Sequence, residues 1–337
     1  MRNSVSIIVP NWNGLGYLSN CLKALARQTY PWHQVVLVDN GSTDGSCEFV
    51  AESYPEVHIL RSEQNLGFAG GTNLGIRHSR SEYVATLNND TEPEPTWLEE
   101  LVGAIASNPR MGMAASKMLF YDRRAMVNSA GIAVDRVGIA WDREGGTFDR
   151  ADAAARDVFG PCAGAALYSR AMLDEIGLFD EDYFGYLEDV DLAWRGQATG
   201  WRCRYAPAAR VYHVHSATGQ EGSPLKNYLL GRNKWWTIVK NYPWPQIAHL
   251  APLILAYDLM AVLYGLLARR DTHGLRGRLA AFRALPDLAR KRSTIQATLD
   301  YSPHLAYACL DSVHSPMQVW HRYRHLRKAA KPEARSA

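Results

Sequence analysis

Short apolar runs alternate with amphipathic segments along the first 120 residues of the chain. Five of the apolar runs predict β-strands, at 5–9, 35–38, 58–60, 83–87 and 111–115. Between them, apolar positions recur at helical spacing and predict α-helices at 17–29, 46–54, 70–78 and 97–106. Uninterrupted apolar strands separated by helices are typical of a parallel sheet covered on both faces, so the pattern predicts an α/β fold.

Polar residues follow three of the predicted strands, at 11–13, 39–40 and 88–90. In open α/β sheets, ligands bind outside the carboxyl ends of the strands, so these side chains are expected to converge on one crevice. The third group, Asn88-Asn89-Asp90, supplies hard oxygen atoms of the kind that a metal-bound diphosphate needs. The alternative is an ordinary turn, because Asn and Asp side chains hydrogen-bond their own backbone.

A second acidic segment, Glu188-Asp189-Val190-Asp191, follows about a hundred residues later. It offers a carboxylate that could deprotonate a hydroxyl group. The alternative is a solvated helix face, which is the usual role of a charge run. Taken together, the two segments suggest the transfer of an activated sugar.

The net charge of +3 hides an uneven distribution. From Ala268 onward there are 14 Lys and Arg against 5 Asp and Glu, a net charge of +9, so the preceding residues carry about −6. A basic tail suits an anionic surface such as phospholipid. A nucleic-acid-binding protein would carry basic residues across the whole fold, so no nucleic-acid partner is expected. Five scattered cysteines and the lack of a visible signal peptide predict a reducing, cytoplasmic compartment.

The composition changes after Pro245, which predicts one domain at 1–242 and a helical, basic extension at 243–337. Residues 247–267 are largely apolar but contain His249, Pro252 and Asp258, whereas a clean transmembrane span needs roughly 20 apolar residues. Because arginines follow, the segment is predicted to be an anchor at the membrane surface. A packed soluble extension and a true span are the alternatives.

Three motifs carry a family resemblance: VSIIVPNWNG at 5–14, VDNGSTDG at 38–45 and NLGFAGGTNLG at 65–75. They are followed by the segments at 87–90 and 188–195, by His213, and by Arg232 and Asn233. In this order and spacing they resemble the inverting glycosyltransferases of family 2, above all bacterial rhamnosyltransferase-like members that build cell-surface polysaccharides. The resemblance implies the nucleotide-sugar-binding GT-A fold, with a mostly parallel central sheet, ahead of a membrane-associating C-terminal extension.

The resemblance also implies a donor site at the strand ends. Asp39 would read a pyrimidine base near Pro10 and Asn11, although residues 42–44 also suit the cap of the next helix. The glycine-rich run at 67–75 could let backbone approach a phosphate, or could be an ordinary turn. The predicted donor-binding residues are Pro10, Asn11, Asn13, Asp39, Asn65, Gly71, Asn73, Asn88, Asn89 and Arg232.

A metal site is implied at the position of the family's DxD motif. Asn88 replaces the first aspartate, which removes one charge and gives Asn88 a ribose-contact role. Asp90 is then the predicted direct ligand of Mg²⁺ or Mn²⁺. His213 matches a histidine that completes the metal site in relatives, with His215 as second choice. The alternative is that the histidine is structural.

Glu188 and Asp189 occupy the family's catalytic position. Inversion by a single displacement needs one base for the acceptor hydroxyl. Asp189 is the predicted base, with Glu188 positioning either the acceptor or Asp189. Asp191 and Arg195 have the spacing of an ion pair on one helix, which predicts a structural role for both.

Arg232 and Asn233 would contact the diphosphate or close a loop over it, the alternative being an exposed salt bridge.

The implied activity is transfer of a sugar, rhamnose first, from a dTDP-, UDP- or GDP-sugar to a hydroxyl of a polyprenyl-linked or other glycan acceptor. The expected location is the cytoplasm, peripheral at the inner face of the cell membrane. A processive polysaccharide synthase of the same fold is one alternative, but it would carry a QxxRW motif and several membrane spans, and neither is found in this sequence. A non-catalytic scaffold is the other alternative, and the presence of Asp90, Asp189 and His213 argues against it.

Overall fold

The structure is a computed structural model that describes residues 3–214, 222–297 and 300–329. Its β-strands are β1 Val5–Asn11, β2 Gln34–Asn40, β3 His58–Ser62, β4 Tyr83–Leu87, β5 Thr91–Pro93, β6 Met111–Phe120, β7 Val127–Ser129, β8 Ile132–Val134, β9 Ala140–Asp142, β10 Arg156–Val158, β11 Ala165–Ser169 and β12 Arg202–His213. Its α-helices are α1 Leu15–Leu25, α2 Ser46–Ser53, α3 Gly67–His78, α4 Trp97–Ala106, α5 Arg170–Ile176, α6 Glu188–Ala198, α7 Pro224–Asn241, α8 Trp244–Ala268, α9 His273–Arg283, α10 Leu285–Gln296, α11 Pro303–Ala308 and α12 Pro316–Ala329. A short 3₁₀ helix covers Glu181–Tyr183.

One large sheet has the strand order β10-β12-β6-β11-β4-β1-β2-β3. Strands β1 to β4 pair in parallel, and so do β6 and β12. This arrangement confirms the predicted α/β class with a mostly parallel sheet. β11 was not predicted and lies antiparallel between β4 and β6. The register of β1 and β2 pairs Asn11 with Asp39, so the polar strand ends meet at one edge.

The sheet is covered by helices on both faces, as the uninterrupted apolar strands predict. Alternate residues of a strand point to opposite faces. Val5, Ile7 and Val9 of β1 therefore pack in one core with α1 and α4, whereas Ile8 packs in the other core with α3 and α6. Each fully buried apolar side chain of this kind contributes about 1.5–3 kcal/mol to the free energy of folding.

The glycine-rich run at 67–75 is helical, so its interpretation as a turn is wrong. The glycines let α3 approach the sheet closely. A Cβ on Gly75 would lie 2.5 Å from Cγ2 of Ile8, and one on Gly71 would lie 2.5 Å from Nδ2 of Asn40. Both distances are shorter than real Cβ contacts, so the two positions require glycine if α3 is to stay in place.

The last of the five predicted strands ends at residue 115, yet β12 is a strand of 12 residues that the apolar pattern does not predict. β12 lies between β10 and β6, second from one end of the strand order. Its pairing is interrupted between Ala206 and Arg210, around Pro207, and an interrupted strand lacks a clear alternating pattern.

Helices α7 to α12 form the C-terminal part. α7 ends at Asn241 and α8 begins at Trp244, where the sequence predicts a domain boundary; the division into two domains stays a prediction. Within the described residues, α8 is the one helix whose length and composition would allow it to cross a membrane, with a mean hydropathy of 1.9. Its Asp258 is buried and bonds to Trp235 of α7 and Arg278 of α9.

Candidate active site

The carboxyl ends of β1, β2 and β4 bring three buried polar side chains together. Nδ2 of Asn89 donates to Oδ1 of Asn11 over 2.6 Å, and Nδ2 of Asn11 donates to Oδ1 of Asp39 over 3.4 Å. Pro10 precedes Asn11 in β1 and is half-buried. Gly14 passes so close that a Cβ there would collide with Asn89. Four of the predicted donor-binding residues therefore lie at one edge of the sheet.

Asp39 lines a polar cleft of about 280 Å³ beside the ends of β2 and β3. One carboxylate oxygen, Oδ2, accepts a hydrogen bond from the backbone N–H of Ser42 at 3.2 Å. Burial, and after it the Asp39 carboxylate, raises the pKa of the Cys47 thiol to about 11, so this cysteine is a neutral wall of the cleft. The lining residues are Asp39, Gly41, Ser42, Cys47, Glu48, Arg61, Ser62 and Glu63.

The loop after β2 is held by side-chain contacts with the loop after β1. Oδ1 of Asn13, a residue with φ of 50°, accepts from the backbone N–H of Thr43 at 2.8 Å. Asp44 accepts from the backbone N–H groups of Leu15 and Ser46, which stabilises the starts of α1 and α2. Asp44 thus fills the capping role, while Asp39 faces the cleft.

Three further predicted donor-binding residues lie at the start of α3 or within it, and their described contacts are to protein. Oδ1 of Asn65 accepts from the N–H of Gly67 at 2.8 Å. Gly71 faces Asn40. The amide of Asn73 is buried and exchanges hydrogen bonds with the backbone of Phe179. Their predicted phosphate contacts stay predictions without support from these bonds.

Strand pairing places Asp90 beside His213. β5 follows Asp90 directly and pairs with β12 so that Thr91 opposes His213. Nε2 of the imidazole lies 3.4 Å from Oδ1 of Asp90, and that buried oxygen makes no hydrogen bond within the described residues. The other ring nitrogen, Nδ1, lies 2.8 Å from Oδ1 of Asn128. An amide oxygen only accepts, so Nδ1 carries a proton, and Nε2 is the ring nitrogen that faces Asp90.

This pair fits a divalent cation that also takes ligands from a bound diphosphate. Among the described residues no group of three or more His, Cys, Asp or Glu side chains could hold a metal. An aspartate oxygen and an imidazole nitrogen suit Mn²⁺ or Mg²⁺, which commonly take the remaining ligands from phosphates and water. Burial lowers the pKa of His213, but the carboxylates of Asp90 and Asp142 raise it, and the net pKa lies above its ordinary value. His215, the second choice, lies outside the described residues.

Glu188 and Asp189 open helix α6. Oδ2 of Asp189 accepts from the backbone N–H of Ala163 at 3.3 Å, and Oδ1 from that of Val190 at 2.8 Å. Burial is the main cause that raises the pKa of Asp189 to about 6. Glu188 is buried, its Oε2 has no hydrogen-bond partner among the described residues, and burial and then Asp189 raise its pKa well above the ordinary value.

The two acidic segments are joined through the chain just before β11. The backbone N–H of Asn88 donates to the carbonyl of Gly164 at 2.8 Å, and the neighbouring Ala163 donates to Asp189. The structure therefore brings the turn that carries Asp90 and the helix that carries Asp189 to the same edge of the sheet.

Asp142, at the end of β9, is a carboxylate in this site that the sequence did not single out. Its negative charge contributes to the raised pKa values of both Asp189 and His213. Burial raises its own pKa, while Ser129 and His213 lower it in part. β9 is not among the strands that the sequence predicts, and no motif marks Asp142.

Asp191 and Arg195 form the predicted structural ion pair on α6, with 3.0 Å between Oδ2 and Nε. Lys240 of α7 adds a second bond to Asp191 at 2.9 Å. Burial favours the neutral acid, but Lys240 and Arg195 outweigh it and lower the pKa of Asp191. Neither side chain of the pair is directed at a ligand.

Arg232 and Asn233 lie on α7 and contact the backbone ahead of α6. Nη2 of Arg232 donates to the carbonyls of Asp182 and Tyr183. The exposed salt bridge considered for Arg232 is therefore wrong, and its predicted diphosphate contact stays a prediction.

Comparison with known proteins gives one family and one fold. The family model described as Glycosyl transferase family 2 matches residues 6–177, just over half of the chain. N-acetylglucosaminyl-diphospho-decaprenol L-rhamnosyltransferase of Mycobacterium tuberculosis is 28% identical over 268 residues, which cover 70% of this chain and 87% of that protein. The uncharacterized protein y4gI of Sinorhizobium fredii is 29% identical over 235 residues, 66% of this chain, and the chain spans 26% of its length.

Among solved structures, the chain is similar to the mannosyltransferase PcManGT from Pyrobaculum calidifontis in complex with GDP-Man and Mn²⁺. The TM-score is 0.52 at 20% identity, over 98% of this chain and 86% of that chain. At this identity the similarity concerns the fold.

Proposed function

The chain belongs to glycosyl transferase family 2 and is a glycosyltransferase, and we propose that it transfers a sugar with inversion, in a metal-dependent single displacement. The proposed donor is a nucleotide sugar, with rhamnose as the first candidate sugar. The proposed acceptor is a hydroxyl of a lipid-linked glycan.

One observation carries this proposal. Oδ1 of Asp90 is buried without a hydrogen-bond partner among the described residues and faces Nε2 of His213 at 3.4 Å. A buried carboxylate is costly unless a cation compensates it. A proton on His213 does so in the free protein, and a metal ion would take the place of that proton when it binds, because metal binding to histidine releases the proton. The hydrogen bond from His213 to Asn128 supports this explanation, because metal-binding histidines commonly donate their other N–H to such a partner.

The residues divide the reaction between two sides of the anomeric carbon. Asp90 and His213 would hold the ion, which when bound neutralises charge on the departing nucleoside diphosphate. Asp189 accepts the proton of the acceptor hydroxyl, whose oxygen forms the new bond to the anomeric carbon. The bond from that carbon to the phosphate oxygen breaks, and its electron pair leaves with the diphosphate. Attack opposite the leaving group inverts the configuration.

The protonation states suit these roles. With a pKa of about 6, Asp189 is mostly ionised at neutral pH and is a stronger base than an exposed aspartate. Burial and then Asp189 raise the pKa of Glu188 well above its ordinary value, which favours the protonated form that can donate a hydrogen bond to the acceptor or to Asp189. Neighbouring carboxyl groups whose environments separate their pKa values are typical of acid–base sites.

The proposed donor and acceptor follow from the relatives. The mycobacterial protein is named as a rhamnosyltransferase acting on a decaprenol-linked sugar, and the archaeal structure is a complex with GDP-Man. The polar cleft at Asp39 offers a carboxylate to the N–H groups of a base. A dTDP-, UDP- or GDP-sugar is therefore the proposed donor. Asn11, Asn13 and Asn89 are proposed to contact it beside the cleft.

Membrane attachment is proposed to occur through α8. Leu255, Leu259, Leu263 and Leu267 recur every four residues and are 45–79% exposed. The opposite side of the helix packs on protein through Asp258. This division into two faces supports a peripheral position with the leucine row in the interface, at the cytoplasmic side of the membrane.

The test is the variant Asp189→Asn, with Asp174→Asn on the exposed surface of α5 as control. Nucleotide sugars with Mn²⁺ should raise the melting temperatures of the unaltered protein and of both variants by the same amount, because donor binding does not use Asp189. Sugar transfer should fall by about 10²–10⁴-fold in Asp189→Asn alone. If Asp189→Asn transferred sugar at the rate of the unaltered protein, the base assignment would be lost. The nucleotide sugar that gives the largest shift identifies the donor.

A further inference from the structure

The turn at 182–187 leads directly into the helix that carries Glu188 and Asp189. Three of its residues with side chains adopt left-handed backbone: Phe184, Tyr186 and Leu187, with φ of 63°, 65° and 67°. Such a residue costs about 1 kcal/mol or more, so three of them within four positions require the surroundings to hold them. Strained backbone of this kind is common beside reacting groups.

Two adjacent side chains of α7 bind the carbonyl groups of this turn. Nη2 of Arg232 donates to the carbonyls of Asp182 at 2.7 Å and Tyr183 at 3.0 Å. Nδ2 of Asn233 lies within hydrogen-bonding distance of three carbonyls, those of Tyr183 at 3.1 Å, Gly185 at 3.0 Å and Tyr186 at 2.7 Å.

Arg232 also fixes the orientation of the Asn233 amide. Nε of Arg232 donates to Oδ1 of Asn233 at 2.9 Å, so the NH₂ group is the one that faces the turn. The guanidinium is itself held over the ring of Trp236, 4.3 Å from its centroid. Asn233 is fully buried, so its amide is committed to the turn.

Helix α3 holds the turn from the other side. The carbonyl of Phe184 accepts from the backbone N–H of Ala69 at 3.2 Å. A Cβ on Gly67 would collide with the same carbonyl. The turn is therefore clamped between α3 and α7, and its carbonyls from Asp182 to Tyr186 all accept hydrogen bonds.

We propose that Arg232 and Asn233 are positioning residues that hold the strained turn, and through it the carboxylate of Asp189, in line with the acceptor hydroxyl. The proposal rests on the proposed function, because it concerns the base assigned there. Neither residue needs to touch the substrate. A displacement of about 1 Å at a reacting group can cost about a hundredfold in rate, which is the effect that the clamp prevents.

The test compares Asn233→Ala with Asn227→Ala. Asn227 lies on the same helix, and its amide binds Gly222 and Asp271 instead of the turn. Asn233→Ala should lower kcat by about tenfold to a hundredfold, with the KM for the nucleotide sugar within about twofold of the original value. Because a loosened turn admits water to Asp189, the acid limb of its pH–rate profile should move to lower pH. Asn227→Ala should keep both the kcat and the pH profile of the unaltered protein, even where its melting temperature falls as much as that of Asn233→Ala.

A second variant covers the case in which Asn233→Ala does not fold. Arg232→Lys keeps the charge but removes the Nε–H bond to Asn233, so it should give the same pattern with a smaller fall in kcat. The positioning role is overturned if the folded variants keep the original kcat and pH profile while Asp189→Asn is inactive. Should Asp189→Asn itself remain active, the proposed function fails instead, whatever the α7 variants show.

Discussion

The variant Asp189→Asn should make the folded protein more stable at neutral pH, although it should slow sugar transfer by about 10²–10⁴-fold. Burial holds the pKa of Asp189 at about 6, above its ordinary value of 3.8. A carboxyl group with a raised pKa in the folded state binds its proton more tightly there than in the unfolded chain. Ionisation therefore destabilises the fold, and a neutral amide removes that cost. The amide NH₂ cannot accept the backbone N–H bond that one of the two oxygens takes from Ala163 or Val190, so the gain is reduced by a part that does not depend on pH.

The magnitude follows from the size of the shift. A difference of about two pKa units corresponds to at most about 3 kcal/mol in the free energy of unfolding. The sign of the change in stability with pH follows from proton release. Between about pH 4 and pH 6 the unfolded state gives up its proton first, so the stability of the unaltered protein falls as pH rises through this window. The full gain of Asp189→Asn is present above about pH 6 and vanishes below about pH 4.

Asp191→Asn, two residues further along α6, is the matched control with the opposite sign. Lys240 and Arg195 overcome the effect of burial and lower the pKa of Asp191, so its ionised form stabilises the fold. Its replacement should destabilise the protein at neutral pH and have progressively less effect as the pH falls below about 4, the ordinary aspartate range.

The assay is urea or thermal unfolding of the three proteins at several pH values between 4 and 8. A melting temperature about 6 °C higher for Asp189→Asn at pH 8, at about 2 °C per kcal/mol, is the upper limit. A gain that is equal at pH 4 and pH 8 would mean that the effect does not come from ionisation. The account of the basicity of Asp189 would then fail.

Two further predictions concern the proposed metal ligands and the membrane. Asn128→Ala should raise the Mn²⁺ concentration needed for nucleotide binding by about 10- to 100-fold, measured by thermal shift, because His213 loses the partner that fixes its tautomer. An unchanged Mn²⁺ requirement would argue against His213 as a ligand. Replacing Leu255, Leu259 and Leu263 by serine should reduce sedimentation with anionic phospholipid vesicles while catalysis on a soluble acceptor continues; undiminished sedimentation would place the attachment elsewhere.

The strand ends were predictable because apolar runs, and the polar residues that end them, are local features of the sequence. Residues 83–87 and 97–106 form the predicted strand and helix with the predicted bounds. Asn11 and Asp39 could be placed together because parallel pairing aligns the carboxyl ends of strands. These inferences needed neither loop conformation nor long-range packing.

The roles of α3 and α7 could not be derived in the same way. Asn73 and Asn233 were predicted to contact the donor because they are polar and lie in the family's motifs. Their amides instead bind the backbone at 179 and at 183–186. Which group satisfies a buried amide depends on how distant segments pack, and the local sequence does not record it. Asp142 was missed for the same reason, because only folding brings β9 near α6.

The family match includes helix α3 but ends before helix α7. The match at 6–177 contains Asn11, Asp39 and Asp90, which are proposed to hold the donor, but it ends before the proposed base Asp189. The turn before Asp189 is held from both sides, by α3 inside the match and by α7 outside it. Helix α7 also binds α8 and α9 through Asp258 and therefore connects the proposed membrane contact to the turn before the base. The segment beyond residue 177 is therefore proposed to contribute to both catalysis and membrane attachment. A variant shortened to obtain a soluble enzyme should retain the whole of α7.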